Sequence, residues 1–217
     1  ATLPATVRHF LDHIGAENMR PGDILVTNDP WKGTGHLPDV CIVQPIFRGD
    51  HLVAFAATTS HVPDIGGRIR ALEAREIYEE GLQIPLMKLS DAGQVNDFLV
   101  RMIRINVRTP DQTMGDIWVQ AGAGGLMAVR LLAMMDDYDL DDLECLADEL
   151  FRRCEDAMCA AIADVPDGTY RYTMEADGMD IPFHFEVALT VDGEAIVADY
   201  AGTTPAQPRA VNCPMTY

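Results

Sequence analysis

Two short runs carry side chains able to hold a metal ion or move a proton: "TNDPWKGTGHLPDV" over residues 27–40 and "SHVPDIGG" over 60–67. Each contains His-x-Pro-Asp, as His36-Leu37-Pro38-Asp39 and His61-Val62-Pro63-Asp64. Imidazole and carboxylate together, without thiolate, suit a divalent transition ion such as Mn2+, Fe2+ or Zn2+ and leave positions for water. The same pattern also occurs in plain turns, where the aspartate accepts backbone N–H bonds and the histidine is incidental. The choice between them turns on whether the fold brings both runs to one place.

The segments between the runs address that question. "VCIVQPIF" (40–47) and "LVAFAATT" (52–59) are apolar, β-branched stretches joined by four residues containing Gly49-Asp50, a hairpin signal. Pro45 within the first stretch marks an edge or a bulge. With symmetric pairing about the turn, opposed residue numbers sum to about 99, so Val40 faces Thr59 and His61 lies near Pro38. The entry of one strand and the exit of the other then share an end, where His36, Asp39, His61 and Asp64 meet. Asn28 and Asp29 join them if the short strand "ILVT" (24–27) pairs alongside. Pro30, Pro38 and Pro63 stiffen these loops, and Gly33, Gly35, Gly66 and Gly67 let backbone approach a ligand closely.

The remaining pattern predicts an α+β fold. Leu3, Val7, Phe10, Leu11 and Ile14 form a helical stripe. His9 and His13 lie opposite it without the glutamate of H-E-x-x-H, which reads as a wet surface. "EAREIYEEGL" reads as a helical turn or two closed by Gly81, and Thr113 to Met135 as a helix in which Gly122, Gly124 and Gly125 allow close packing. A further helix follows Asp141, with Leu143, Leu146, Leu150, Phe151, Cys154, Met158 and Ile162 on one stripe. "FHFEVALTV" (183–191) and "AIVADY" form a second hairpin around Asp192-Gly193, with His184 on its wetter face. The expected organisation is a β-rich part carrying the site hairpin (1–110), a helical segment (111–165) and a β-rich segment (166–217) that continues into further chain.

A formal net charge of −18 argues against nucleic acid and anionic membranes, since both need a basic surface. The longest apolar runs, such as "LVAFAA", fall short of the ~20 residues that cross a bilayer, so no membrane segment is expected. Five cysteines without a C-x-x-C pair point to a reduced, cytoplasmic protein. The start on Ala1 and the end at "NCPMTY" lead us to expect an internal portion of a longer chain.

In order along the chain, "RPGDILVTNDPWKGTGHLPDV", "SHVPDIGG", "AREIYEEGLQIPLMKL", "NVRTPDQTMGD", "VPDGTY" and "YAGTTPAQPRAVNCP" resemble the hydantoinase B/oxoprolinase family. That family holds the beta subunits of ATP-dependent hydantoinases, the C-terminal part of 5-oxoprolinase and the metal-bearing alpha subunits of acetone and acetophenone carboxylases. The resemblance implies a metal held by His36, Asp39 and His61, manganese before zinc or iron, with Asp29 and Asp64 as a further ligand or as partners of the ligands. It implies a separate hydantoinase-A-like subunit that binds and uses ATP, hence a hetero-oligomer, and a reaction in which water opens an activated five-membered cyclic amide. Glu79 or Glu80 is a candidate general base. Arg68, Arg75 and Arg108 are candidates to bind a substrate carboxylate or a phosphorylated intermediate. The rival within the family is a ketone carboxylase subunit. Outside it stand an Fe2+ oxygenase with two histidines and one carboxylate, and a scaffold whose metal is structural.

Overall fold

Leu25 and Val26 are consecutive in a strand, so their side chains leave opposite faces, yet neither is exposed to solvent. The sheet that carries them is therefore covered on both sides. The structure, a computed structural model describing residues 2–33, 35–68 and 72–214, forms two compact units. The first comprises residues 1–142 and 208–217, and the second residues 143–207.

The first unit is built on a five-stranded antiparallel sheet of β1 (Ile24–Thr27), β2 (Asp39–Arg48), β3 (His51–His61), β4 (Met87–Asp91) and β5 (Gln94–Val95), in the order β3-β2-β1-β4-β5. On one face lies α1 (Thr2–Ile14), whose Phe10 packs with Leu25, Val43 and Leu86. On the other lie α2 (Asp97–Asn106) and α3 (Pro110–Asp137), whose Ile103, Met114 and Ile117 pack with Val26 and Ile42. Leu25 pairs with Val43 and Val26 with Ile42, so each cross-strand pair supplies one face. Burying one such side chain contributes ~1.5–3 kcal/mol.

Local signals explain the helix starts. Asn96 caps α2 by accepting the Leu99 N–H at 3.1 Å. Pro110 opens α3, where its missing N–H would have had no partner. By length and composition α3 is apolar enough to cross a membrane, which the short apolar runs did not lead us to expect. Its Met114, Ile117, Ala121 and Gly124 face the core at helical spacing. Close packing is confined to Gly124, where a Cβ would strike the Gln44 amide; at Gly122 and Gly125 it would meet open space. Gln44 Nε2 instead donates to Ala121 O at 2.6 Å.

The β2–β3 hairpin forms as predicted, but its register is offset by one. Arg48 pairs with His51 and Phe47 with Leu52, after which Ile46 pairs with Ala54. Val53 is thus an extra residue, a bulge, beyond which opposed numbers shift by one. Pro45 lies outside the Cys41–Val43 stretch of β2 that pairs with β1, where a missing donor is tolerated.

The second unit has α4 (Glu144–Ala163) and an antiparallel sheet of β6 (Gly168–Ala176), β7 (Phe183–Asp192) and β8 (Ala195–Asp199), in the order β6-β7-β8. Strand β6 pairs along its length with β7 and had not been singled out in the sequence. The apolar stripe of α4 is present but uncovered, with no buried residue and Phe151 72% exposed. The two units do not follow the three segments expected, because α3 packs on the first sheet and 208–217 returns to the first unit.

Candidate metal centre and its cavity

Asp39 opens β2, His61 closes β3, and the shifted register sets them directly opposite one another. His36 precedes Asp39 by a turn whose Asp39 N–H donates to His36 O at 3.2 Å. The Val62 N–H donates to Pro38 O at 2.8 Å and extends the pairing past the strand end. Asp39 consequently stands between the two imidazoles, with Oδ2 3.1 Å from His36 Nδ1 and Oδ1 3.1 Å from His61 Nδ1. The two rings lie with centroids 5.0 Å apart.

The charges answer to that arrangement. Burial disfavours ionised Asp39, whose side chain is only 16% exposed. Hydrogen bonds and charge from His36 and His61 outweigh it and hold the carboxyl below its usual range. The hydrogen bond to Asp39 raises the His36 pKa against the opposing effect of burial, helped by the Asp39 and Glu80 charges. His36, Asp39 and His61 each offer one ligand atom within 4.8 Å of the others. An ion bonded at ~2.0–2.2 Å sets its donors roughly 3–3.5 Å apart, the separation already present on either side of Asp39. The donor set thus fits a divalent ion, which would replace the protons these groups now share.

Asn28 anchors the loop that carries His36. Its side chain is fully buried, donates from Nδ2 to Leu37 O at 2.8 Å and Leu82 O at 2.9 Å, and accepts the Ile84 N–H at 2.6 Å. Leu37, next to His36, is itself fully buried in the core.

The other candidates are placed differently. Asp29 Oδ1 accepts the Trp31 N–H at 3.0 Å and shapes the loop. Asp64, 3% exposed, accepts from the Gly66 N–H at 2.9 Å, the Arg108 N–H, and Arg108 Nη1 at 2.9 Å. Burial alone would raise its pKa, but these donors hold it below the usual carboxylate range. Neither aspartate belongs to the His36–Asp39–His61 group, and Arg108 is engaged with Asp64 and, through Nη2, with Gly67 O at 2.6 Å. Glu79 pairs with Arg68 Nε at 3.0 Å and accepts the Arg75 N–H at 3.2 Å. Glu80 Oε2 accepts the Leu37 N–H at 3.3 Å. Gly67, at φ +53°, lets the 66–67 backbone press against Glu80, where a Cβ would collide.

A cavity of about 560 Å³ opens beside the cluster, lined by His36, His61, Pro63, Arg68 and Glu80. A second of about 460 Å³ adjoins it, lined by Trp31, Arg75, Glu76, Glu80 and Arg209. Both include Ala210, which belongs to the returning segment 208–214. No local pattern in the sequence predicts that return.

The sequence profile of the family described as Hydantoinase B/oxoprolinase matches residues 1–217. A Pseudomonas sp. (strain NS671) protein described as the B-type subunit of a D-/L-hydantoinase is 32% identical over 211 residues, 92% of this chain and 36% of that protein. The beta subunit of caprolactamase from Pseudomonas jessenii is 33% identical over 160 residues, 72% of this chain and 28% of that protein. The crystal structure of ATP-dependent caprolactamase from Pseudomonas jessenii superposes on 96% of this chain and 37% of that one, with a TM-score of 0.84 and 29% identity. The chain spans about a third of the length of these relatives.

Proposed function

The chain belongs to the hydantoinase B/oxoprolinase family, and from that premise we propose that it supplies the metal-binding part of an ATP-dependent enzyme that opens a five-membered cyclic amide, a hydantoin or 5-oxoproline. The observation that carries the reading is Asp39 bridging two imidazoles at the side of a cavity large enough for such a ring. His36, Asp39 and His61 would hold a divalent ion, with Mn2+ the first choice and Zn2+ or Fe2+ next. A bound ion of this kind polarises a carbonyl and makes coordinated water more acidic.

The chain's own groups do the rest. Asp39 orients both rings, and the buried amide of Asn28 keeps the His36 loop from drifting. Pro63, Val62 and Ile65 give the cavity an apolar wall that limits stray water. Glu80, whose backbone is wedged by Gly67, lines the cavity with His36 and would take the proton from an attacking water. Glu79, bound to Arg68, holds the loop instead. ATP would be used by a hydantoinase-A-like partner subunit that phosphorylates the ring carbonyl. Relatives described as subunits, and one as ATP-dependent, support that division of labour.

The test uses the full-length protein assembled with its ATP-binding partner. ATP-dependent loss of hydantoin or 5-oxoproline, absent in His61→Ala, is the expected result. Bicarbonate-dependent loss of acetone would move the protein to the carboxylase branch. Oxygen consumption without ATP would overturn the reading.

A further inference from the structure

The three arginines considered for substrate binding differ in what they are free to do, and of them Arg68 and Arg75 line the two cavities. Arg108 is engaged with Asp64 and Gly67, and Arg68 with Glu79. The guanidinium of Arg75 forms no hydrogen bond or ion pair among the described residues, although its backbone N–H is held by Glu79 Oε1 at 3.2 Å. It lines the second cavity, which shares Glu80 and Ala210 with the cavity of the candidate metal centre.

We infer that Arg75 and Trp31 form a carboxylate subsite, so that the ring substrate carries an acidic substituent reaching from the first cavity into the second. This rests on the reading above only for the identity of the ring. The backbone behind both walls of the subsite is held before a ligand arrives. Trp31, 59% exposed, sits on a loop fixed by its N–H to Asp29 Oδ1 at 3.0 Å and by the Gly33 N–H to Asp29 O at 2.6 Å. The Arg75 backbone is tied through Glu79 to Arg68. Glu76 and Glu80 line the same cavity and offset the charges of Arg75 and Arg209, so the site has no strong positive field to gather any anion that passes. Selection must come from directed donors. A guanidinium offers two parallel N–H groups that match the two oxygens of a carboxylate, which an ammonium does not. The exposed indole face adds a flat apolar surface for the linker between ring and acid.

The experiment compares hydantoin-5-acetate with 5-ethylhydantoin, which differ in the acid group, on the full-length protein with its partner. Binding is followed by calorimetry and turnover by ATP-dependent ring opening. In Arg75→Ala the dissociation constant and KM for hydantoin-5-acetate should rise at least tenfold, those for 5-ethylhydantoin should stay within twofold, and metal content should not change. Arg75→Lys should recover only part of the loss. Equal weakening of both compounds would overturn the subsite. So would a fall in kcat for both at unchanged KM, which would assign Arg75 to a phosphorylated intermediate. Selective binding without any turnover would uphold the subsite and sink the hydrolase reading instead.

Discussion

Asp39 and His61 are direct cross-strand partners, with Oδ1 and Nδ1 3.1 Å apart, because Val53 bulges out of β3 near the hairpin turn. Without that offset Asp39 would face Ser60, and successive side chains of a strand point to opposite faces. One residue of slippage therefore decides whether the two runs make a site. It also makes Asp39 the member of the group that touches both others.

The first prediction follows from that central position. Asp39→Ala should lower metal affinity more than His36→Ala or His61→Ala, and each by more than the ~10–100-fold seen when a group merely supporting a ligand is lost. Asp29→Asn and Asp64→Asn should keep full metal content, since both carboxylates bind backbone N–H groups outside the cluster. Elemental mass spectrometry of the five variants, with chelator competition, checks this. Full metal in Asp39→Ala would remove the centre.

Much of the centre could be read from residue types. The hairpin turn at Gly49-Asp50 and the two apolar strands were visible, so the convergence of His36, Asp39 and His61 was as well. The bulge was not, because nothing in Leu52-Val53-Ala54 marks an extra residue. Asp64 shares its His-x-Pro-Asp context with Asp39, and only the arrival of Arg108 from the end of α2 separates their roles. Strand β6 was legible, since Tyr170, Tyr172 and Met174 alternate with Arg171, Thr173 and Glu175 at the period of a strand, but it was not singled out. The apolar stripe of α4 was legible but its lack of cover was not, since periodicity reports amphipathicity and not what lies opposite.

Asp64 should matter for stability. Asp64→Ala leaves the Gly66 and Arg108 N–H groups and a guanidinium without their acceptor, at a cost of ~2–4 kcal/mol in denaturant unfolding. The sign with pH follows from the lowered pKa. The folded carboxyl lies below its unfolded value, so its contribution is complete above the ordinary value of about 4 and disappears as pH falls through the folded one. Unfolding midpoints of the parent should drop in acid below that value. Asp64→Asn should lack this part of the drop; a parallel acid profile in the variant would count against the assignment.

Asn28 tests whether the loop geometry serves the ion. Asn28→Ala leaves two carbonyls and the Ile84 N–H without partners in a site closed to solvent, a loss of ~2–4 kcal/mol. Asn28→Asp keeps the acceptor for Ile84 but aims a carboxylate oxygen at the Leu37 and Leu82 carbonyls, so it should be no better. Metal affinity should fall in both, measured well below the unfolding midpoint, because Leu37 adjoins His36. Unchanged affinity in a folded Asn28→Ala protein would limit Asn28 to a structural role.

His184 gives a titration independent of the metal centre. It sits opposite Glu175 in the β6–β7 register, with Nδ1 2.6 Å from Glu175 Oε1 and Nε2 3.7 Å from Glu186 Oε2. The hydrogen bond to Glu175 raises its pKa above 6.5 against the opposing effect of desolvation, and the Glu175 charge and the contact with Glu186 add to the rise. A raised folded value means that the pairing is fully present below the unfolded pKa and is lost as pH rises through the folded one. Imidazole resonances followed by NMR should therefore place the His184 midpoint above 6.5. Glu175→Gln removes the first-ranked cause and should return it towards that value, with Glu186 leaving a smaller residue of the shift. The same midpoint in parent and Glu175→Gln would mean that the cross-strand pair does not hold the proton in solution.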